Sequence, residues 1–145
     1  MKLRKVISGG QTGANREALE CAKEIGLETG GTAPKGYRTK TGSDYELRDK
    51  FGLSESPYYD YAPRTKKNVA DAEATIWFGN LGSPGYWFTK NAAKAQNKPF
   101  FENPSAVQFK ELVNTYETIN FAGNRHSKNP AVNQVVKDAF ASLGV

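Results

Sequence analysis

The chain has 145 residues, with 20 lysines and arginines against 15 aspartates and glutamates, giving a formal net charge of +5. That length suits one domain with a real core, and 38% apolar with 24% charged residues describes a folded chain rather than a disordered one. The single cysteine, Cys21, excludes an internal disulfide and a zinc cluster, and the single histidine, His126, excludes most metal-ligand sets.

Leu3 to Ile7 predicts a short strand, because the β-branched Val6 and Ile7 run directly into Ser8-Gly9-Gly10-Gln11-Thr12-Gly13. A helix is expected from Ala14 to Ile25, with Ala18, Leu19, Ala22 and Ile25 at helical spacing and Gly26 as its stop. Strand, glycine turn and helix in that order open a phosphate-binding βα unit. A second strand over Glu28 to Ala33 is interrupted by Gly30 and Gly31. From Pro34 to Tyr61 no periodicity is visible, and irregular stretches of that length are usually functional.

Pro63 suits a first helical turn and predicts a helix from Pro63 to Ala72. The apolar run Ala74 to Phe78 reads as a buried strand ending at Gly79. A turn over Asn80 to Gly85 then leads to a helix from Tyr86 to Gln96. Lys98 to Phe101 predicts a strand, Ser105 to Asn114 a helix and Thr118 to Ala122 the last strand. Pro130 to Leu143 closes as a helix whose apolar face carries Val132, Val135, Val136, Ala139 and Phe140. Five strands alternating with helices imply a Rossmann-like three-layer α/β sandwich around a parallel sheet, forming a single domain over residues 1–145. With no apolar run near the ~20 residues of a membrane span and no leader at Met1, a cytoplasmic location is expected.

In such sheets ligands sit beyond the carboxyl ends of the strands. Three glycine-bearing loops fall there: Ser8 to Gly13, Gly79 to Gly85 and Gly123 to Lys128. In the first, Ser8, Gly9, Gly10, Gln11, Thr12 and Gly13 offer main-chain N–H groups to an anion at a helix N-terminus. Arg16 lies in the first turn, where a cation opposes the helix dipole unless an anion is nearby; the competing reading pairs it with Glu20.

Further along, Lys35 and Arg38 follow the second strand, where a nicotinamide site wants an acid, so NAD is disfavoured. Arg64, Thr65 and Asn68 open the third helix as a second candidate anion contact. Ser83 and Gly85 form a further turn, and Trp77, Trp87 and Phe88 are candidates either to stack on a flat ring or to fill the core. Arg125 and Ser127 follow the last strand. No nucleophile with a partnered base and no paired carboxylates accompany these loops, so the residues speak for binding rather than catalysis. The cations are spread along the chain rather than gathered in a stripe, which favours an anionic small molecule over nucleic acid.

Ser8-Gly9-Gly10-Gln11-Thr12-Gly13 with Arg16, Gly30-Gly31, Pro34-Lys35-Gly36-x-Arg38 and Arg64-Thr65-x-x-Asn68-Val69 resemble the molybdenum cofactor carrier proteins. These belong to the SLOG superfamily with the LOG (lysine-decarboxylase-like) proteins. Ile119-Asn120-Phe121-Ala122-Gly123-x-Arg125-x-Ser127 is similar to that family's closing strand and loop. The resemblance implies a homo-oligomer, dimer or tetramer, and a phosphorylated pterin or nucleotide as ligand, with molybdenum cofactor (molybdopterin) as the carried group. It also implies two alternatives, binding of a nucleotide-derived signal of cyclic ADP-ribose type and LOG-like hydrolysis of nucleotide N-glycosidic bonds. The sequence departs from the family at Asn15, where an aspartate is usual, and at Gly82-Ser83-Pro84-Gly85-Tyr86, which replaces a Gly-Gly-Thr turn, with Thr89 following. Lys90 to Ala93 carry no counterpart of the LOG glutamate, which weighs against hydrolysis.

Overall fold

The apolar run Ala-Thr-Ile-Trp-Phe forms the longest fully buried strand of the sheet, as its continuous hydrophobicity requires when both faces are covered. In the computed structural model, which describes residues 1–145, five parallel strands form this sheet: β1 (Lys5–Ile7), β2 (Glu28–Gly30), β3 (Ala74–Phe78), β4 (Phe100–Glu102) and β5 (Thr118–Gly123). The helices are α1 (Ala14–Glu24), α2 (Glu46–Asp49), α3 (Tyr61–Asp71), α4 (Pro84–Ala95), α5 (Ala106–Thr115) and α6 (Val132–Ala141).

The strand order is β2–β1–β5–β3–β4. β5 therefore occupies the centre of the sheet, with Ile119 opposite Val6 of β1 and Phe121 opposite Ile76 of β3. Counting β5 first turns this order into 3-2-1-4-5, that of the doubly wound folds. The topology is thus a doubly wound sheet with its first strand moved to the end.

The two faces of the sheet are covered unequally. On one, Val6, Ile76, Phe78, Ile119 and Phe121 meet α1, α5 and α6 in a core of 22 buried residues. Phe78 stacks on Phe121 with ring centroids 6.0 Å apart, and Phe109 and Phe140 pack edge-on around them. On the other, α3 and α4 contribute a small cluster of Val69, Ala92 and Ala93 with Phe100 alongside, and Tyr86 packs edge-on against Trp77. The second layer is thin, and the space it leaves holds the cavity described below.

The boundaries differ from the sequence reading in instructive ways. The expected strand over Glu28 to Ala33 breaks at Gly31, whose φ of 124° turns Thr32–Ala33 away to pair with Ser54–Glu55. A side chain at Gly31 would collide with the Ser8 carbonyl, so the break keeps β2 close against the loop after β1. Helix α3 begins at Tyr61, two residues earlier than Pro63 predicts; proline is tolerated there because first-turn N–H groups have no helical acceptor. α4 begins at Pro84, with Ser83 Oγ accepting the N–H of Tyr86 as its N-cap.

The stretch from Pro34 to Tyr61 is not an open loop. It folds into a turn of 3₁₀ helix at Lys35–Tyr37, a small antiparallel pair of Arg38–Thr39 with Gly42–Ser43, and α2. Leu47, Phe51 and Leu53 enter the main core from it. Its apolar residues are too widely spaced to show a period, yet they are buried.

Candidate functional site

A cavity of about 600 Å³, the size range of small-molecule sites, opens at the carboxyl ends of β1, β3 and β5 on the thin side of the sheet. Connections leave β1 toward one edge and β3 toward the other, so the cavity lies at the switch point where doubly wound sheets bind ligands. The loop after β1 supplies Gly9, Gln11 and Asn15. α3 supplies Tyr61, Ala62, Arg64, Thr65 and Asn68, and the turn into α4 supplies Asn80, Ser83, Gly85, Phe88 and Thr89. Trp77 of β3 adds to the wall, and β5 with the loop beyond it contributes Asn120, Ala122, Asn124, Arg125 and Lys128.

The charges of this lining are one-sided. Arg64, Arg125 and Lys128 border the cavity, and no aspartate or glutamate does. The Arg64 and Arg125 guanidiniums lie 5.3 and 4.3 Å from the Tyr61 ring centroid, so the ring is bordered by two cations. Arg64 Nε is buried without any hydrogen-bond partner. Burial, with Arg125's positive charge as the second cause, lowers the Arg64 pKa to about 10. Arg64 is seated on Gly9: a side chain at that position would occupy the space of its guanidinium. A buried cation with no carboxylate facing another cation is costly unless an anion arrives.

Gly9, Gln11, Arg64, Thr65, Asn68, Ser83, Gly85, Thr89 and Arg125 are the predicted residues that the fold brings to this cavity. Ser8, Gly10, Thr12, Gly13, Arg16, Lys35, Arg38 and Ser127 are not among its lining. The glycine loop spends much of its donor capacity on itself. Gly10 N–H donates to Ser8 Oγ, Gln11 N–H to Asn15 Oδ1, and Ala14 N–H to the Asn124 carbonyl. Side chains at Gly10 and Gly13 would strike Leu47 and the backbone of residues 124–126 respectively, so these glycines permit close packing of the loop.

Arg16 is likewise corrected. Its guanidinium pairs with Glu20 at 3.2 Å, with Glu46 at 2.8 Å and with Asp44, and lies 4.9 Å from the Phe51 ring centroid. Partial burial, the largest single effect, lowers its pKa, but hydrogen bonds to Glu46 and Glu20 with the charges of Asp44 and Glu20 together outweigh it and raise the pKa. It clasps the excursion between β2 and α3 onto α1 rather than facing the cavity. Lys35 and Arg38 flank the exposed Tyr59 ring at 5.1 and 5.3 Å, away from the lining, although the Arg38 carbonyl accepts from Gln11 Nε2 at 3.0 Å. Trp77 is a core aromatic whose Nε1 donates to the Asn80 carbonyl, and Phe88 stands at the cavity with part of its ring exposed.

Sequence reasoning passed over Tyr61, Asn80, Asn120, Asn124 and Lys128 as site residues. The signal for Asn120 and Asn124 was available, because amides within or just after a buried strand need a reason to be there. Asn15 is explained as well. It accepts from Gln11 N–H and donates to the Phe121 carbonyl, each at 3.4 Å, and an aspartate in place of this amide has no donor for Phe121.

The sequence model of the Circularly permutated YpsA SLOG family matches residues 6–143. The chain belongs to this family. The permutation is the one read from the sheet, with the central strand last in the chain. Among solved structures, the SLOG chain is similar to one from Syntrophus aciditrophicus SB named "Putative molybdenum carrier protein", with 30% identity and a TM-score of 0.88. That likeness covers 99% of this chain and 96% of the other. A comparison with curated proteins found no match. No helix of this SLOG protein is long and apolar enough to cross a membrane.

Proposed function

We propose that this protein binds and carries a phosphorylated heterocyclic ligand in the cavity at the ends of β1, β3 and β5. The carrying observation is Arg64: a desolvated guanidinium on the cavity wall, without a carboxylate and with Arg125 alongside. A phosphate monoester between Arg64, Arg125 and Lys128 supplies the missing charge through charge-assisted hydrogen bonds. Phe88, Trp77 and Ala122, which share this lining, offer apolar surface to the ring. The name of the Syntrophus protein makes a molybdenum-bearing pterin phosphate the first cargo to test. With no carboxylate in the lining, the cavity offers no acid–base pair for cleaving an N-glycosidic bond, so carriage is favoured over hydrolysis.

Native mass spectrometry of freshly purified protein, followed by calorimetric titration with pterin and nucleoside monophosphates, tests this. Binding of a phosphomonoester that Arg64→Met abolishes supports the reading. Failure to bind any phosphate, or equal binding by the variant, overturns it.

A further inference from the structure

Asn120 sits where a strand disfavours it, at the centre of β5, opposite Ile7 on one side and Thr75 on the other, and only 3% exposed. A buried amide is costly unless both of its ends are bonded. The other buried asparagines of the cavity hold the backbone, Asn15 and Asn68 with both ends of the amide and Asn124 with its oxygen. Asn15 spans Gln11 N–H and the Phe121 carbonyl, Asn68 holds both the N–H and the carbonyl of Thr32, and Asn124 accepts from Asn80 N–H. Asn120 bonds no main-chain group. Its one hydrogen bond runs from Nδ2 to Thr75 Oγ1 at 3.2 Å, and the other end of the amide has no protein partner while the residue lines the cavity.

Thr75 is itself fully buried, so the hydroxyl fixes the plane of the amide. A threonine hydroxyl both donates and accepts, so the free end of Asn120 serves as carbonyl or as NH₂ according to what faces it. Such a group has no use for a plain hydrocarbon ring, which leaves it unsatisfied, and it matches a ring edge carrying C=O and N–H groups.

We infer that Asn120, oriented by Thr75, is the specificity-determining residue of the cavity and reads the heteroatom edge of the ligand's ring, as presented by an oxo-purine or a pterin. This rests on the phosphate-binding reading above, and it adds which end of the ligand enters first and what chemistry that end bears. Asn120 touches the ligand; Thr75 is a positioning residue.

The test is calorimetric titration of the wild type, Asn120→Leu and Thr75→Val with guanosine 5′-monophosphate, a pterin phosphomonoester and phenyl phosphate. All three probes share the phosphate, and only the first two carry the polar ring edge. Losing one buried hydrogen bond to the ring corresponds to about a tenfold loss of affinity. Asn120→Leu is expected to weaken the better heterocyclic probe about tenfold and leave phenyl phosphate unchanged. Thr75→Val, nearly the same shape, weakens it severalfold with the same selectivity. Whichever heterocycle binds more tightly identifies the source of the edge.

A variant that shifts all three probes equally, or shifts only the melting temperature, assigns the pair a structural role and overturns the inference. So does a wild type that binds phenyl phosphate as tightly as either heterocycle. If Asn120→Leu does not fold, Thr75→Val and the wild-type ratios decide. A wild type that binds none of the three removes the phosphate reading itself, and this inference with it.

Discussion

Replacing Arg64 by methionine should make the empty protein more stable while destroying its affinity for phosphate. The lowering of the Arg64 pKa from its ordinary value to about 10 corresponds to roughly 3 kcal/mol of native-state penalty on the charged form. Some of that is screened, because the residue is half-buried and borders the open cavity. Methionine keeps most of the apolar stem but loses the contact with Tyr61, worth about 0.5–1 kcal/mol. The expected net gain is about 1–2 kcal/mol, or roughly 3–6 °C in melting temperature for a chain of this size.

The sign follows from the titration. A base whose pKa is lower in the folded state carries its full penalty below the folded value, and recovers it only as pH rises from about 10 toward the higher unfolded value. Between pH 6 and 9 the stability gain should therefore be constant. The assay is thermal unfolding in a buffer free of multivalent anions, with and without added phosphate. The wild type should gain stability with phosphate and the variant should not. A variant that melts below the wild type and still responds to phosphate refutes the account of Arg64 as an uncompensated anion receptor.

Gly9→Ala should weaken phosphate binding tenfold or more at little cost in stability, since the new methyl displaces the movable end of Arg64; paired calorimetry and melting curves check this. Gly13→Ala behaves oppositely: at a φ of 91° and against the backbone of residues 124–126, it should cost about 3 kcal/mol or more in denaturant unfolding. Arg16→Gln should lower stability by about 1–2 kcal/mol and speed proteolysis within residues 38–52, with ligand affinity reduced less than threefold. The Cys21 thiol, whose pKa burial and the charge of Glu17 push up to about 12, should resist alkylation at pH 8 in the native state and react on unfolding.

The alternation of strands and helices was legible because α1 and α6 carry a helical period and β3 is an unbroken apolar run, and the sheet followed from it. The cavity's position was also legible, because loops beyond strand ends are where such sheets bind. Which loop residues face the cavity was not. Gly9 and Gly10 are adjacent and chemically identical, yet one receives Arg64 and the other Leu47 and Leu53, partners brought in from distant segments. Arg16 and Arg64 both occupy early helical positions, and locally Arg16 has Glu20 one turn on where Arg64 has Asn68. What separates them is Asp44 and Glu46, carried to α1 by an excursion whose fold has no readable period. Asn120 stands out as an amide in an apolar strand, but its role depends on Thr75, a neighbour across the sheet that no local pattern reveals.

The central place of β5 also shapes how the chain reaches this structure. During synthesis β1 can pair with β2, and β3 with β4, but no strand pairing joins the two halves of the sheet until residues 118–123 have left the ribosome. Until then β1 and β3 each present an unpaired parallel edge, the kind of surface on which other nascent chains add strands. Joining them closes contacts more than a hundred residues apart between Val6 and Ile119, so the decisive step is late and slow. Because Asn120 and the residues leading to Arg125 arrive on that same strand, the ligand cavity exists only once the whole sheet is assembled. A half-made chain has no such cavity.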